Sequence, residues 1–424
     1  METHKYWWKE AKIYELYIDK FAGDIPGLTR RLDYFTALGI NTLHLLPHYP
    51  SGGVDDGYDI TNYRAVRAEL GDLDDFKTLL DTAHARGIRI ITDFVLNHTS
   101  NKHPWFVEAS ASKHNARRDF YHWRDEPRGF EGAPNMYPDI KPNTWVRNNA
   151  TNDYYFSTFY PQQPDLNWDN PEVFTEMTAH MEFWADMGVD GFRLDAAGFL
   201  IKRENTISRG LKETHQTIKK IRAQLEAKHP DVIMLAESAE MPELAKDYFG
   251  QGDECHMAYS FPLCEQLWMA LAFRDRIPLQ AMIERSFKDI PENCGWAVFL
   301  RNHDELSLAT LEEDEREHLI DTLDPLHEYL FNKGTATALR VASALHGDRQ
   351  KIIEALELLY SIPGTPIMYY GDEIGMRNLP VQEGILHTPK YCRGVFDWAE
   401  AEAQIQDPDS LWNATRDIIR RSTH

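Results

Sequence analysis

Carboxylates stand at the ends of four short apolar runs in this sequence of 424 residues. The runs end in DFVLNH, GFRLDAA, LAES and FLRNHDE, which contribute Asp93, Asp195, Glu237 and Asp304. When two carboxyl groups share a site, one can attack a carbon atom while the other, kept protonated by its surroundings, donates a proton to a leaving oxygen. A separation of about 5 to 5.5 Å permits a covalent retaining mechanism. The residue types therefore indicate glycoside hydrolysis or glycosyl transfer.

The same motifs also carry basic side chains, His98, Arg193 and His303. A positive charge keeps a nearby nucleophilic carboxylate ionised, and histidines can hold the hydroxyl groups of a substrate. Taken singly, a charged residue at the end of a strand is as often a helix cap or half of a buried salt bridge. Asp93 fits that structural interpretation best. The coincidence of acidic and basic groups at several strand ends favours a catalytic site.

These groups need a scaffold, and the dominant pattern is a β-rich apolar run, a polar loop and an amphipathic helical stretch. Eight such runs predict an α/β protein of the (β/α)8 TIM barrel type, in which active groups come from the C-terminal ends of strands. The runs are 13–21, 41–47, 88–98, 189–197, 232–238, 257–261, 296–304 and 365–370. Helices are predicted between them at 73–86, 173–187, 204–228 and 348–361, with a last helix at 411–421.

Two connections are too long for simple loops between a strand and a helix. Residues 99–167, rich in Trp, Tyr, Asn and Pro, are predicted to form an inserted B-type subdomain after strand 3. The catalytic barrel then comprises residues 1–98 and 168–424. The second connection, 305–345, contains an acid-rich helical pattern, which indicates a solvent-facing helix that could act as a lid.

Charge and hydropathy exclude several classes of protein. Lys and Arg number 45 against 67 Asp and Glu, so the formal charge of −22 repels phosphate backbones and anionic lipid surfaces. We therefore expect no nucleic-acid partner. No apolar stretch approaches the roughly 20 residues of a transmembrane helix, and METHKYWWKE lacks the apolar run of a signal peptide. The sequence predicts a cytoplasmic protein with no membrane partner.

The cysteines and histidines give no metal or cofactor pattern. The four cysteines form no C-x-x-C pair, and none of the 18 histidines lies in an H-E-x-x-H motif. No phosphate-binding glycine fingerprint follows a strand. We expect neither a catalytic metal nor a cofactor.

The four strand-end motifs resemble the conserved regions of the alpha-amylase superfamily, glycoside hydrolase family 13. QPDLN at 163–167 and DDGYDI at 55–60 extend the resemblance over nearly the whole chain. Within the superfamily, the sequence most resembles the branch of trehalose synthases and oligo-1,6-glucosidases. The segments that carry this resemblance are HPWF at 103–106, QPDLNWDNP at 163–171, DECHM at 253–257 and PGTPIMYYGDEIGM at 363–376.

The resemblance implies a role for each matching position. Asp195 would be the nucleophile, Glu237 the general acid and base, and Asp304 the carboxylate that stabilises the distorted transition state. The residues implied to bind the first glucosyl unit are His98, Arg193, His303, Tyr58, which would stack beneath the ring, and Asp55, which would hold the hydroxyls of the non-reducing end.

Three departures from the family modify these expectations. The short segment FAGDIPGL at 21–28 has one acid where relatives often carry a calcium loop, so we predict no calcium there. In HTPKYCRGVFDW at 387–398, Arg393 is the candidate for an arginine that pairs with the aspartate of the second-strand loop. The sequence continues only to the predicted eighth helix, so the barrel is expected to lack the usual C-terminal β-sandwich. Either the barrel is stable without it, or a partner subunit, as in a homo-oligomer, covers the exposed surface.

The resulting functional hypothesis is a retaining, exo-acting α-glucoside hydrolase or transglucosylase, with a covalent glucosyl-enzyme intermediate and small α-glucosides as substrates. A trehalose synthase-type isomerase, which interconverts maltose and trehalose, shares that intermediate. An α-glucoside phosphorylase would need a cation near the acceptor, for which Lys202 and Arg203 are candidates, although basic residues there often lie on a solvated helix start. A catalytically inactive barrel that serves as a binding subunit is the alternative from another class.

Overall fold

The eight predicted apolar runs form a closed barrel of parallel strands in the computed structural model, which describes residues 6–331, 334–382 and 388–422. The (β/α)8 fold is therefore confirmed. In chain order the barrel strands are β1 (Ile13–Leu16), β2 (Thr42–Leu45), β3 (Arg89–Val95), β4 (Gly191–Asp195), β5 (Ile233–Ala236), β6 (Met257–Tyr259), β7 (Gly295–Phe299) and β8 (Thr365–Tyr369).

Register places polar residues side by side inside the barrel. In parallel strands, residues that share a register position project to the same face of the sheet. Asp93 on β3 is paired with Arg193 on β4, and Glu15 on β1 is paired with His44 on β2. All four of these side chains are fully buried among apolar neighbours. The barrel therefore encloses two pairs of charged or titratable groups as well as an apolar core.

Helices surround the barrel and largely follow the predicted pattern. The longer ones are Leu32–Leu38, Leu73–His84, Pro104–Ala111, Pro171–Met187, Lys212–Lys228, Phe261–Phe273, Ile277–Phe287, Glu313–Leu323, Arg349–Leu359, Trp398–Gln406 and Leu411–Arg421. Within the described ranges, no helix is both long and apolar enough to cross a membrane. The opening five residues, on which the prediction about a signal peptide partly rests, lie outside those ranges.

One predicted helix is eight residues too long. The helical pattern begins at Glu204, whereas the helix begins at Lys212. In the intervening loop the Ser208 hydroxyl accepts from the backbone N–H of Arg203, and the Thr206 hydroxyl accepts from the N–H of Ser208. Such local hydrogen bonds compete with helix formation.

The two long connections each contain a small antiparallel sheet. In the first, Trp123–Arg124, Trp145–Asn148 and Asp153–Phe156 pair next to an aromatic cluster that includes Phe130. The second contains the predicted acidic helix, Glu313–Leu323, and a sheet of three two-residue strands, Leu306–Ser307, Leu330–Phe331 and Ala336–Thr337. Strands this short have no periodicity in the sequence, so the second sheet was not predicted.

Candidate active site

The guanidinium group of Arg193 is shared by three carboxylates. Its Nη1 atom donates to Asp93 at 2.6 Å and to Asp195 at 2.7 Å, and its Nη2 atom lies 2.5 Å from Glu237. Arg193 is fully buried, and a buried cation requires such compensation. Asp93 is also fully buried, while Asp195 and Glu237 face the cavity described below. The arginine thus anchors the two proposed reacting carboxylates from behind.

Asp195 lies among several other charged groups. Burial raises the pKa of Asp195 and the neighbouring carboxylates of Glu237 and Asp93 raise it further, while Arg193 opposes the shift. The cluster as a whole therefore retains a proton more readily than an isolated aspartate does. A site that needs one ionised and one protonated carboxyl group has this property.

His303 and Asp304 form a second charged group at the same mouth. The His303 Nε2 atom lies 3.2 Å from Asp304, and a second oxygen of Asp304 accepts from Arg393. Burial lowers the pKa of His303, but Asp304 and Glu15 outweigh that effect and raise it to about 10. Burial raises the pKa of Asp304, but His303 and Arg393 hold it well below its usual range. Asp304 is therefore ionised at neutral pH.

Arg393 reaches the loop after β2, where the resemblance implied that it pairs with an aspartate. Its Nη1 atom donates at 2.6 Å to Asp56, the neighbour of the predicted Asp55. Asp55 accepts from Gln163 Nε2 at 3.3 Å, and burial raises its pKa to about 7. Asp55 and Asp56 both have left-handed backbone angles, with φ of 58° and 46°. Strain of this kind costs about 1 to 3 kcal/mol and is common at functional sites.

Tyr58 and His98 complete the predicted group. The Tyr58 ring lies parallel to that of His303, with centroids 5.4 Å apart, and its hydroxyl donates to Asp93 at 2.9 Å. The His98 Nε2 atom donates to the carbonyl oxygen of Tyr58 at 3.2 Å. Burial lowers the pKa of His98 to about 4, so this imidazole is neutral at neutral pH.

A cavity of about 210 Å³ opens above these groups at the C-terminal ends of the barrel strands. Five carboxyl groups, Asp55, Asp195, Glu237, Asp304 and Glu305, line it together with Tyr58 and His98. The remaining wall is largely aromatic, with Tyr137 and Phe159 from the first long connection, Phe331 from the second, and Phe199 and Phe261 from the barrel. Aromatic faces with a few convergent polar groups are typical of a small-molecule site.

Three polar residues of this region were missed in the sequence. Glu15 and His44 lie inside the apolar runs IYEL and TLHL. An ionisable side chain within an apolar strand could have indicated a functional group. Glu305 belongs to FLRNHDE but was given no role. Burial raises the pKa of Glu305 to about 8, and Asp304 and Glu237 contribute to this shift. Among the described residues, no group of three or more His, Cys, Asp or Glu side chains is arranged to hold a metal ion.

Lys202 and Arg203, the candidate phosphate-binding cations, are engaged in ion pairs. The Lys202 Nζ atom lies 2.9 Å from Asp165, and both side chains are buried. It also donates to Asn97 at 3.1 Å. Arg203 donates to Asp169 at 2.7 Å on the surface. These pairs favour a structural role for both residues, but the expectation of a solvated helix start is wrong for Lys202, which is buried and precedes the helix that begins at Lys212.

The Lys202 pair leads to a prediction about stability. We expect Lys202→Met to lower the free energy of unfolding by about 3 to 5 kcal/mol, because it leaves Asp165 buried without its cation. The matched change at the neighbouring exposed pair, Arg203→Gln, should cost at most about 1 kcal/mol. Urea unfolding of the two variants measures both values, and equal effects would contradict the assignment of Lys202 to a structural pair.

The known proteins that this chain matches belong to one family. Residues 12–337 match the family model described as the alpha amylase catalytic domain. The trehalose synthase of Thermus thermophilus is 44% identical over 382 residues, which are 88% of this chain and 39% of that protein. A trehalose synthase/amylase of Mycolicibacterium smegmatis is 37% identical over 462 residues, covering 100% of this chain and 77% of that one.

The solved structures agree with the sequence comparison. The crystal structure of an alpha-glucosyl transfer enzyme superposes with a TM-score of 0.80 at 25% identity, covering 98% of this chain and 84% of the other. The chain therefore spans most of that structure but well under half of the Thermus relative.

Proposed function

Because the chain belongs to the alpha-amylase family, as its motifs predicted, we propose that it is a retaining, exo-acting α-glucoside hydrolase or transglucosylase. The observation that carries the proposal is the attachment of Asp195 and Glu237 to a single guanidinium group at one cavity. Two contacts to the same small group keep the carboxyl groups close. This supports the retaining separation of about 5 to 5.5 Å over the inverting one of about 6.5 to 9.5 Å.

The proposed reaction has two steps. A carboxylate oxygen of Asp195 attacks the anomeric carbon while Glu237 protonates the departing glycosidic oxygen, so a glucosyl ester forms as the original bond breaks. Glu237 then removes a proton from water or another hydroxyl, whose oxygen attacks the same carbon and releases Asp195. Asp304 supplies a fixed negative charge beside the positively charged transition state, while Arg193 favours the ionised form of the nucleophile Asp195.

The contacts of Arg393 support action on the last sugar of a chain. Arg393 connects Asp56, in the loop after β2, to Asp304, which lines the cavity. Because the resemblance places the hydroxyls of the non-reducing end at the neighbouring Asp55, we propose that this bridge blocks further sugars.

The charge of the cavity argues against phosphate as the acceptor. Five carboxyl groups line it, whereas Arg209 is the cation on its wall in the described ranges and lies 3.3 Å from the carboxylate of Glu240. The ionised Asp304 repels an anion there, and Arg209 is already paired. The structure thus favours a neutral acceptor, either water or a sugar hydroxyl, over phosphorolysis.

A trehalose synthase-type isomerase is the second candidate, and one observation favours it. Tyr137 and Phe331, from the two long connections, meet at the cavity with ring centroids 6.4 Å apart. Aromatic groups placed there can keep water from the glucosyl ester while the released glucose changes its orientation and presents a different hydroxyl. The inactive barrel is disfavoured because all three carboxylates face the cavity.

Product analysis tests these proposals. The purified protein is incubated with maltose, trehalose, sucrose, isomaltose and p-nitrophenyl α-glucoside, with and without phosphate. We expect α-glucose to appear first, because retention sets the initial anomer, and we expect phosphate to have no effect. Interconversion of maltose and trehalose with little free glucose would identify the isomerase. Initial release of β-glucose, or neither turnover nor binding of a glucose-mimicking iminosugar, would overturn the proposal.

A further inference from the structure

Glu15 lies behind the active site, fully buried on β1, and no step of the proposed mechanism uses it. One of its carboxylate oxygens accepts from the backbone N–H of His303 at 2.7 Å and from the Nδ1 atom of the same residue at 3.0 Å. The other oxygen accepts from His44 Nδ1 at 3.1 Å and from the Tyr259 hydroxyl at 3.3 Å. Four donors therefore converge on one carboxylate.

These contacts belong to a closed ring of five side chains. From Glu15 the ring passes through His303, whose Nε2 atom lies 2.5 Å from the Tyr58 hydroxyl, and that hydroxyl donates to Asp93 at 2.9 Å. It returns through His44, whose Nε2 atom lies 3.3 Å from Asp93. Tyr58 and Asp93 also contact Arg193. The ring thus connects Glu15 to both charged groups of the active site.

The chemistry of the donors determines the charge of the ring. An ionised carboxylate only accepts hydrogen bonds, so a histidine nitrogen that binds one must carry a proton. Burial raises the pKa of Glu15, but the contacts with His303 and His44 hold it well below its usual range. His303 faces Glu15 through Nδ1, and it faces Asp304 and the Tyr58 hydroxyl through Nε2. Both ring nitrogens therefore carry protons, and His303 is an imidazolium ion.

We propose that Glu15 is a positioning residue of the active site, which holds His303 in one orientation as a doubly protonated cation beside Asp304 and the glucose position. This inference rests on the proposed function, because the predicted task of His303 is to bind the glucosyl unit. The alternative is that Glu15 serves stability alone, as one half of a buried ion pair.

The pH dependence of activity separates these two roles. The groups that face His303 are Glu15, Asp304, Tyr58 and the edge of the Tyr17 ring, while Arg393 and Cys392 contact its carbonyl oxygen. The protonated form is the competent one in this proposal, so activity is lost as the pH rises through the pKa of His303. Removing the negative charge of Glu15 lowers that pKa, and the loss then occurs at lower pH.

The test compares Glu15→Gln with Glu15→Asp, using Glu373→Gln as the matched control. Glu373 is a buried carboxylate that accepts from Tyr14 and Tyr34 outside the barrel, away from the cavity. We expect Glu15→Gln to lower kcat/KM for p-nitrophenyl α-glucoside, whose leaving group needs no proton from Glu237, at least 10-fold at pH 7. The alkaline limb of the pH profile for this substrate should move down by at least one pH unit. Glu15→Asp should restore part of that shift, and Glu373→Gln should leave the limb in place. A folded Glu15→Gln variant with the alkaline limb of the wild type would overturn the proposal.

A second measurement covers the case in which Glu15→Gln does not fold. In the wild-type protein labelled with 15N at histidine, we expect the His303 imidazole, assigned as the signal that a His303→Gln variant lacks, to remain doubly protonated at pH 8.5. A neutral His303 imidazole at that pH would overturn the proposal. This measurement requires no turnover, so a wild-type protein that is inactive on every α-glucoside would contradict the proposed function without deciding the role of Glu15.

Discussion

Asp195→Asn is expected to reduce kcat/KM for α-glucosides by about 10⁵-fold, a loss comparable to the removal of a nucleophile in other hydrolases. The amide has nearly the shape of the carboxylate, but it cannot form the glucosyl ester through which both steps proceed. It also removes one of the three negative charges on Arg193 without opening a cavity. Release of glucose from p-nitrophenyl α-glucoside and from maltose measures the effect.

The control for this substitution is Asp169→Asn, since Asp169 is a half-exposed aspartate paired with Arg203 beyond the cavity. That variant should retain nearly all activity, because exposed pairs contribute little to stability. Binding of a glucose-mimicking iminosugar shows whether the Asp195→Asn site remains intact. More than a few per cent of wild-type turnover in a variant that binds the iminosugar would exclude Asp195 as the nucleophile.

Glu237→Gln should affect substrates according to their leaving groups. Loss of the general acid is expected to lower kcat/KM for maltose by about 10² to 10⁴-fold, because its departing hydroxyl needs a proton. p-Nitrophenolate leaves without one, so its release should show a rapid first turnover followed by slow hydrolysis of the ester. Stopped-flow absorbance measures the burst, and mass spectrometry of the quenched protein should detect one added glucosyl residue.

Glu243→Gln is the matched control for this experiment. Glu243 follows the same strand, is half-exposed and forms a salt bridge with Arg285 on the surface. This variant should have the same kcat/KM as the wild type for maltose and for p-nitrophenyl α-glucoside. Equal losses of activity on maltose and on p-nitrophenyl α-glucoside in Glu237→Gln would argue that Glu237 binds substrate without transferring a proton.

The arrangement of Arg193 explains why these two carboxylates can differ in role. Both contact one cation, yet Glu237 also accepts from the backbone N–H of Ala196 at 3.0 Å, and Asp195 shares its Nη1 donor with Asp93. Ala196 adopts a left-handed conformation, with φ of 50°. Strand β4 therefore ends in a turn at Ala196, whose backbone N–H points toward the carboxylate of Glu237.

The fold and much of the site could be predicted from the sequence because their signals are local. Each barrel strand is a short apolar run, and the end of a run marks where its side chains reach the mouth of the barrel. Asp195, Glu237 and Asp304 were identified by such ends, and the structure places all three at one cavity. The last helix was predicted around 411–421, and the structure has it at Leu411–Arg421, where the Ser410 side chain accepts from the backbone N–H of Asn413.

Other features depended on contacts between distant parts of the chain. Glu15 and His303 are 288 residues apart, and Arg393 and Asp56 are 337 apart. Neither pair has a local pattern, because hydrogen bonds of this kind form only when the barrel closes and brings β1 beside β8. The three two-residue strands of the second long connection are likewise too short for periodicity and exist only through their mutual pairing.

The sequence by itself thus determined the barrel, the order of its strands along the chain and the carboxylates at their ends, since local hydrophobic patterns and motifs encode them. Only the tertiary structure decided which charges share a partner. Burial makes an unpaired charge costly, so the buried groups must find one another in the closed barrel, and that choice depends on register and distance rather than on neighbours in the chain.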